Sequence, residues 1–261
     1  MSENNPYSPP TSEIDEPLDE LGMLSEPHKV PGSHGWRWIS EGYSYFRKDP
    51  LAWVLTMIVF MLITVGLSFI PFVSLVINIL MPVFIGGIML GCQALDKGKN
   101  IQISHLFACF QTNAGKLIGL GGLYLGSTIV IGIITAIVIM VSGGMEAFVA
   151  ASNGEPRQLE SFGVEMISAV AVALLLFVPL MMGFWFAPPL IALHNLPLFQ
   201  AIQISYHGCK RNMMPFFIYG LIALLFSAIA ALPFFIGYLI LAPVLMASLY
   251  AAYKDIFLVE Q

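Results

Sequence analysis

The chain has 261 residues, of which 57% are hydrophobic and only 10% are charged, with a formal net charge of −5. Soluble domains carry about 25% charged residues, so this composition excludes a cytosolic enzyme, a nucleic-acid-binding protein and a disordered chain. Asp, Glu, Lys and Arg are absent from four long runs, 51–95, 117–145, 166–209 and 212–253. Uncharged runs of this length predict an all-α integral membrane protein.

The N-terminal segment 1–29 is acidic and rich in proline, with seven acidic residues, five prolines and no Lys or Arg before Lys29. Such a segment cannot bury enough apolar surface to fold, so we expect a disordered cytoplasmic tail. It would be either a passive solvated tail or a docking segment for a partner. It lacks the basic start and early apolar run of a signal peptide, so we expect the first span to stay in the mature protein.

The four runs predict six membrane spans, since one span needs about 20 apolar residues. The runs 51–95 and 212–253 each hold two spans, with turns near Pro71 and Pro233. Polar residues crowd the second half of 166–209, which therefore predicts one span followed by a surface helix. The predicted spans are 51–69, 73–93, 117–142, 166–192, 214–231 and 234–253.

Basic residues predict the orientation of these spans, because they accumulate on the cytoplasmic side of a membrane. Ten Lys and Arg residues fall on one side, whereas Arg157 alone falls on the other. Both termini are therefore predicted to be cytoplasmic. The membrane domain would cover 30–256, and 257–261 would form its C-terminal end.

The order of the elements indicates three copies of one unit, a surface helix followed by two spans. The second span of each unit contains a proline, at Pro82, Pro188 and Pro243. Proline inside a helix removes a hydrogen bond and bends the axis, so we expect helix kinks at these three positions. The kinks would either shape a hinge or vestibule on the cytoplasmic side or serve helix packing alone.

Three short segments, 36–48, 104–112 and 198–211, are predicted to be amphipathic helices that form a cytoplasmic collar. In the first, Trp36, Ile39, Tyr43 and Phe46 would form an apolar face opposite a basic one. An aromatic face opposite a basic face is typical of helices in the headgroup layer. The residues predicted to contact lipid or a partner are Trp36, Arg37, Trp38, Arg47, Lys48, Lys210 and Arg211. The same cations could instead serve only to anchor the topology.

The small and polar residues inside the spans predict contacts between helices and do not indicate a catalytic or transport site. The pairs Gly115/Gly119, Gly122/Gly126 and Gly87/Gly91 have the spacing that lets helix backbones approach closely, within one chain or between copies. Asn78 is the one strongly polar residue well inside a span, where a neighbouring backbone carbonyl could satisfy it. The spans hold no ionisable residue at depth, which argues against proton-coupled transport.

Reactive groups at convincing spacings are missing from the sequence. No Ser/His/Asp set, carboxylate pair or phosphate-binding glycine loop is present, so we predict no enzyme, no catalytic residue and no cofactor. His105, Cys109, His207 and Cys209 are residue types that bind zinc. Their spacing does not match a zinc finger, so we predict no metal site. The three cysteines lie beside cytoplasmic segments, where reduced thiols are expected.

The run Val30-Pro31-Gly32-Ser33-His34-Gly35-Trp36-Arg37-Trp38, with Gly42 and Phe46-Arg47-Lys48-Asp49-Pro50-Leu51, resembles the opening of an uncharacterised family. Its members are proline- and glycine-rich, multi-helix inner-membrane proteins, mainly of proteobacteria. Leu106-Phe107 with Phe110, and Leu120-Gly121-Gly122-Leu123-Tyr124-Leu125-Gly126, also resemble that family. The resemblance covers about residues 30–256. It implies a bundle of about six helices in the bacterial inner membrane and no established activity, so no catalytic residue is carried over.

Two functional hypotheses follow from these observations. The leading one is a non-enzymatic scaffold or accessory factor whose cytoplasmic collar contacts membrane lipids or an unidentified membrane or cytoplasmic protein, and no nucleic acid. The competing one is a channel or carrier for a neutral or apolar solute, with the kinked prolines as gates.

Overall fold

A computed structural model describes residues 24–70, 73–143 and 158–258, together with Val149 and Ser152. Residues 1–23 of the predicted tail, Pro71, Arg157 and the end of the chain from 259 lie outside the described residues.

The described residues form ten α-helices and no strand. The helices are α1 (His34–Lys48), α2 (Pro50–Ser68), α3 (Val73–Asp96), α4 (His105–Thr112), α5 (Ala114–Val141), α6 (Gln158–Trp185), α7 (Ala187–His194), α8 (Leu198–Arg211), α9 (Met213–Ala231) and α10 (Tyr238–Phe257).

Six helical stretches are long and apolar enough to cross a membrane, which confirms an all-helical protein with six candidate spans. They are Pro50–Ser68, Val73–Asp96, Ala114–Val141, Met166–His194, Met213–Ala231 and Tyr238–Phe257. The fourth consists of α6 from Met166 onward and of α7, and the two helices are joined at Phe186. The sixth begins later than predicted, because Phe234 and Phe235 adopt positive φ angles of 50° and 65° that interrupt regular helix.

The three predicted kink prolines have different positions in their helices. Pro82 lies inside α3 and Pro243 inside α10. Pro188 lies in the first turn of α7, a position that tolerates proline because the amide there has no helical partner. At this junction the Ser205 hydroxyl accepts a hydrogen bond from the Phe186 amide at 2.9 Å and donates one to the Met182 carbonyl at 2.7 Å. The break before Pro188 thus replaces the predicted kink within one continuous helix.

The helices α1, α4 and α8, which correspond to the predicted surface helices, each pack against spans of another predicted unit. Helix α1 packs against α9 and α10, α4 packs against α3, and α8 packs against α6 and α7. The first predicted unit therefore contacts the third, the second contacts the first, and the third contacts the second.

The two ends of the described chain lie side by side. Leu24 forms an antiparallel bridge with Leu258, and the amides of Ser25 and His28 donate to the carbonyls of Phe257 and Ile256 at 2.8 and 3.1 Å. Backbone hydrogen bonds therefore hold Ser25 and His28, at the end of the predicted tail, against the end of α10. Both ends of the described chain lie at the same end of the bundle.

The largest buried side chains gather at this same end, which we call the charged end because Lys48, Asp96, Arg211 and Lys254 also lie there. The bulkiest fully buried residues are Trp38, Trp53, Tyr250, Tyr253, Phe186 and Phe257. Towards the opposite end, α2, α5 and α9 expose most of their apolar side chains.

Candidate functional site at the charged end

Helix α1 buries one face against other helices, and two residues of the predicted apolar face, Ile39 and Phe46, belong to it. Its buried residues are Gly35, Trp38, Ile39, Gly42, Tyr45 and Phe46. The two glycines set this face, because they let the backbone approach other helices. A Cβ atom at Gly42 would lie 2.4 Å from the Val244 carbonyl oxygen, and one at Gly35 would lie 2.4 Å from the Pro215 carbonyl oxygen.

The outer face of α1 combines two exposed aromatic rings with three cations. Trp36 is 52% exposed and Tyr43 is 48% exposed. Arg37, Arg47 and Lys48 are exposed as well, and the Arg47 guanidinium lies 5.9 Å from the centre of the Tyr43 ring. We call these five residues the outer face of α1. Amphipathic aromatic rings beside cations are typical of residues at the headgroup level of a membrane.

Trp38 does not belong to this outer face, which corrects its predicted contact with lipid or a partner. Its side chain is fully buried, and its indole N–H donates to Asp255 Oδ2 at 2.7 Å. His34 Nδ1 lies 2.7 Å from the same oxygen, and Arg37 Nη1 lies 3.9 Å from Asp255 Oδ1. Trp38 therefore joins α1 to α10 from inside the bundle.

A second carboxylate, Asp96 at the end of α3, joins three helices. It accepts hydrogen bonds from the Tyr45 hydroxyl at 2.7 Å, the Tyr250 hydroxyl at 3.0 Å and the Lys254 ammonium at 2.7 Å. The Lys48 ammonium lies 3.8 Å away. Burial, and then the hydrogen bond to Asp96, raise the pKa of Tyr45 well above its usual range. Tyr45 therefore acts as a donor that ties α1 to α3.

The cations of α8 have separate roles. Arg211 donates to the Pro27 carbonyl at 2.6 Å and so helps to hold the N-terminal segment. Lys210 is exposed, and its ammonium lies 5.9 Å from the centre of the Tyr206 ring. The neighbouring Asn212 is buried and accepts a hydrogen bond from the Val30 amide at 2.8 Å. Lys210 is thus the α8 cation that is available to solvent or a headgroup.

The cysteine thiols are buried and lack the features of reactive groups. Burial raises the pKa of Cys109 to about 11 and that of Cys209 to about 12. Within the described residues, no group of three or more His, Cys, Asp or Glu side chains is placed to hold a metal ion.

The small and polar residues of the spans show where helices meet. The Asn78 side-chain amide donates to the Ser74 carbonyl at 2.8 Å, so a backbone carbonyl does satisfy it. Gly87 contacts the backbone of α4, as its predicted packing role requires. A Cβ atom added at Gly122 or Gly126 would meet no atom of another helix within 4 Å. Gly121, in contrast, lies against the backbone of Ile79. The close contact between α5 and α3 is therefore made by Gly121.

An apolar groove opens between α5 and α6 and is closed at one end by α8. Its volume is about 870 Å³, and its walls include Gly126 and Val130 of α5, Leu180 of α6, and Gln203 and Tyr206 of α8. Volumes of 300–1,000 Å³ are typical of ligand sites.

The sequence did not single out Asp96, Asp255 or the groove. One signal was present, since each aspartate lies beside a lysine where an uncharged run ends, as Asp96-Lys97 and Lys254-Asp255. Part of the groove was visible in the sequence as the Gly122/Gly126 pair, but its other walls come from α6 and α8, whose packing against α5 the sequence did not indicate.

Comparison with known proteins gives one informative similarity. The chain is 28% identical over 260 residues to a probable inner membrane protein of Burkholderia thailandensis, and the alignment covers 89% of this chain and 94% of that relative. No protein-family model matches the chain, and no solved structure matches it. The similarity and the six apolar helices together indicate a multi-pass protein of the inner membrane.

Proposed function

We propose that the chain is a non-enzymatic inner-membrane protein that contacts anionic lipid headgroups, and through them or beside them a partner protein, by its three short helices α1, α4 and α8. We call these helices the collar. In this proposal the charged end faces the cytoplasm, and both termini lie there. The cytoplasmic leaflet is the one that carries most anionic lipid.

The main support for this proposal is that α1 has two distinct faces, a buried glycine face and the exposed outer face. Its glycine face is fixed against α9 and α10, so the outer face has a set direction. That outer face leaves Trp36, Tyr43 and Arg47 exposed. A rigid helix with aromatic rings and cations on its free side is suited to the boundary between headgroups and acyl chains.

The threefold repeat belongs to the same proposal. The cyclic packing of the short helices supports it, because each contacts spans of the preceding unit and α1 contacts those of the last unit. A ring of three similar units would place the three collar helices around one end of the bundle.

Lipid selectivity in reconstituted vesicles tests the role of the outer face. Spin-labelled phosphatidylglycerol should associate with the protein more strongly than spin-labelled phosphatidylcholine. The variant Arg47→Gln should reduce this preference about fivefold, since one cation near an anionic surface contributes about 1 kcal/mol.

The matched control is Lys99→Gln, which removes an exposed cation outside the collar helices. An unchanged preference in Arg47→Gln, or an equal loss in Lys99→Gln, would contradict a specific role for α1.

Orientation has its own test in phosphatase fusions, which are active only outside the cytoplasm. Fusions after Lys97 and after Lys210 should both be inactive, and a fusion after Gly154 should be active. Activity at only one of the two lysine positions would contradict the six-span arrangement with cytoplasmic termini.

The partner protein is tested by crosslinking in native membranes. We expect one reproducible crosslinked protein that is lost when the outer face of α1 is altered, with lipid preference measured on the same variants. Retrieval of no reproducible protein and no specific lipid would remove the basis of the accessory role.

The competing candidate is a channel or carrier for a neutral or apolar solute. It is favoured by Pro82 and Pro243, which lie inside α3 and α10. Solute uptake into proteoliposomes that is lost in Pro82→Ala and Pro243→Ala would favour transport over the accessory role.

A further inference from the structure

The groove between α5 and α6 is held open by the geometry of α5. Gly121 presses one side of this helix against the Ile79 backbone of α3. Gly122 and Gly126 lie on the other side, where no atom comes within 4 Å of a built Cβ. The two residues line the groove, so the absence of side chains there creates space that no other helix fills.

The far wall comes from α6 and is also apolar. Leu176, Pro179, Leu180 and Phe184 face the groove across from α5. A long, open, apolar space in a membrane protein has the character of an acyl-chain site, because lipid tails are as apolar as these side chains.

The length of the groove matches one leaflet of a bilayer. Its α5 wall runs from Gly122 to Ile134, which corresponds to about 18 Å at about 1.5 Å per residue. A single leaflet contributes about half of the roughly 30 Å hydrocarbon layer. The groove therefore accommodates the tail of a lipid in one leaflet and does not extend across the membrane as a solute pathway would.

Polar groups are found at the end of the groove that α8 closes. Gln203 and Tyr206 line that end. The Lys210 ammonium lies 5.9 Å from the centre of the Tyr206 ring and is exposed. One end of the groove thus offers amide and hydroxyl donors, with the Lys210 ammonium beside Tyr206, and such groups suit a phosphate, while the rest of the groove is apolar.

We propose that this groove binds one anionic phospholipid, with an acyl chain between α5 and α6 and the phosphate at Gln203, Tyr206 and Lys210. The inference deepens the proposed lipid contact and rests on it, because it assigns a particular lipid class to a particular site outside α1. Charge complementarity at Lys210 is what selects an anionic lipid over a neutral one.

The test is photolabelling of the full-length protein in vesicles. The probe is phosphatidylglycerol with a diazirine near the end of one acyl chain, and phosphatidylcholine with the same diazirine is the comparison. Labelled peptides should map to residues 122–134 and 176–184. Labelling by the anionic probe should exceed labelling by the neutral probe.

Two variants separate the tail from the headgroup. Gly126→Leu fills the groove and should lower labelling by both probes about tenfold. Lys210→Gln should lower labelling by the anionic probe about fivefold and leave the neutral probe unchanged.

The control for Gly126→Leu is Gly132→Leu. Gly132 lies on the same helix, also has no atom within 4 Å of a built Cβ, and is outside the groove. Both variants must give the same monodisperse elution as the parent protein, which removes misfolding as an explanation.

The outcomes test the acyl-chain site and the headgroup preference separately. Equal labelling in Gly126→Leu and Gly132→Leu overturns the groove as an acyl site, and equal labelling by both probes overturns the anionic headgroup. Crosslinks from the groove to another protein would instead show that a protein segment occupies it.

Failure of the groove remains distinguishable from failure of the collar. The Arg47→Gln variant should keep groove labelling while reducing the spin-label preference, whereas Gly126→Leu should lose groove labelling and keep the part of that preference that Arg47→Gln removes.

Discussion

The charged end and the opposite end of the bundle are built on different physical principles. At the charged end, glycine contacts, buried aromatic rings and the carboxylates Asp96 and Asp255 connect helices that are far apart in sequence. Towards the opposite end, α2, α5 and α9 present apolar side chains outward. Because lipid tails are as apolar as leucine, helix association there gains little from burial. The contacts that specify the fold therefore lie mainly at the charged end.

The largest expected difference between the two ends is in the effect of a glycine-to-alanine substitution on the free energy of unfolding. Gly42→Ala places a Cβ 2.4 Å from the Val244 carbonyl oxygen, so two helix backbones must separate. We expect a loss of about 3 kcal/mol in the free energy of unfolding. Gly66→Ala in α2 meets no atom within 4 Å, and it should be neutral or stabilising by up to about 1 kcal/mol.

Denaturant unfolding in detergent micelles measures both variants. The same sign of change in Gly42→Ala and Gly66→Ala would remove the proposed difference between the two ends.

The Asp96 network gives the next largest effect. Asp96→Asn weakens hydrogen bonds from Tyr45, Tyr250 and Lys254 at once, and should reduce the free energy of unfolding by about 2 kcal/mol. The control is Asn78→Ala, whose side chain bonds only to Ser74 of its own helix among the described contacts. If both variants reduce the free energy of unfolding equally, the Asp96 network does not stabilise the charged end preferentially.

The raised pKa of Tyr45 predicts how stability changes at high pH. Up to about pH 10 both folded and unfolded chains keep the proton on this hydroxyl, so its contribution is constant. Above that pH the unfolded chain loses the proton while the folded chain retains it, and stability falls. Unfolding at pH 9 and pH 11 should show a smaller fall for Tyr45→Phe than for the control Tyr43→Phe; equal falls would contradict the prediction.

The smallest expected effect is a difference in fluorescence quenching between two tryptophans of α1. Brominated lipids should quench the fluorescence of Trp36, which is 52% exposed, and not that of buried Trp38. The variant Trp36→Phe should therefore lose much of the total quenching, and Trp38→Phe should lose little. Equal losses would place the two rings in similar surroundings.

The spans were predictable because a membrane excludes charge, and uncharged runs mark them directly. The aromatic residues of α1 were assigned to the headgroup layer, and the face of α1 that packs against other helices was not predicted. In the structure Gly35 and Gly42, seven residues apart, define it by close backbone contact. Their spacing was visible in the sequence, but the two helices that they contact, α9 and α10, were not.

The polar connections were harder to predict for a similar reason. Asp96 and Asp255 lie at the ends of spans, where charged residues are common and carry no sign of a specific partner. Their partners Tyr45 and Trp38 come from α1, more than fifty residues away in each case. Contacts of this range depend on the order of helices around the bundle, which hydropathy does not encode.

The contact of α1 with α9 and α10 has a consequence for biosynthesis. Helix α1 is synthesised before α9 and α10, and it finds its complete binding surface only when α10 has been made. At roughly 5–20 residues per second, the roughly 200 residues that separate them take about 10–40 s to translate. During that interval the glycine face of α1 is open to chaperones and proteases. A nascent chain that stops before α10 keeps this face uncovered, which marks it as incomplete.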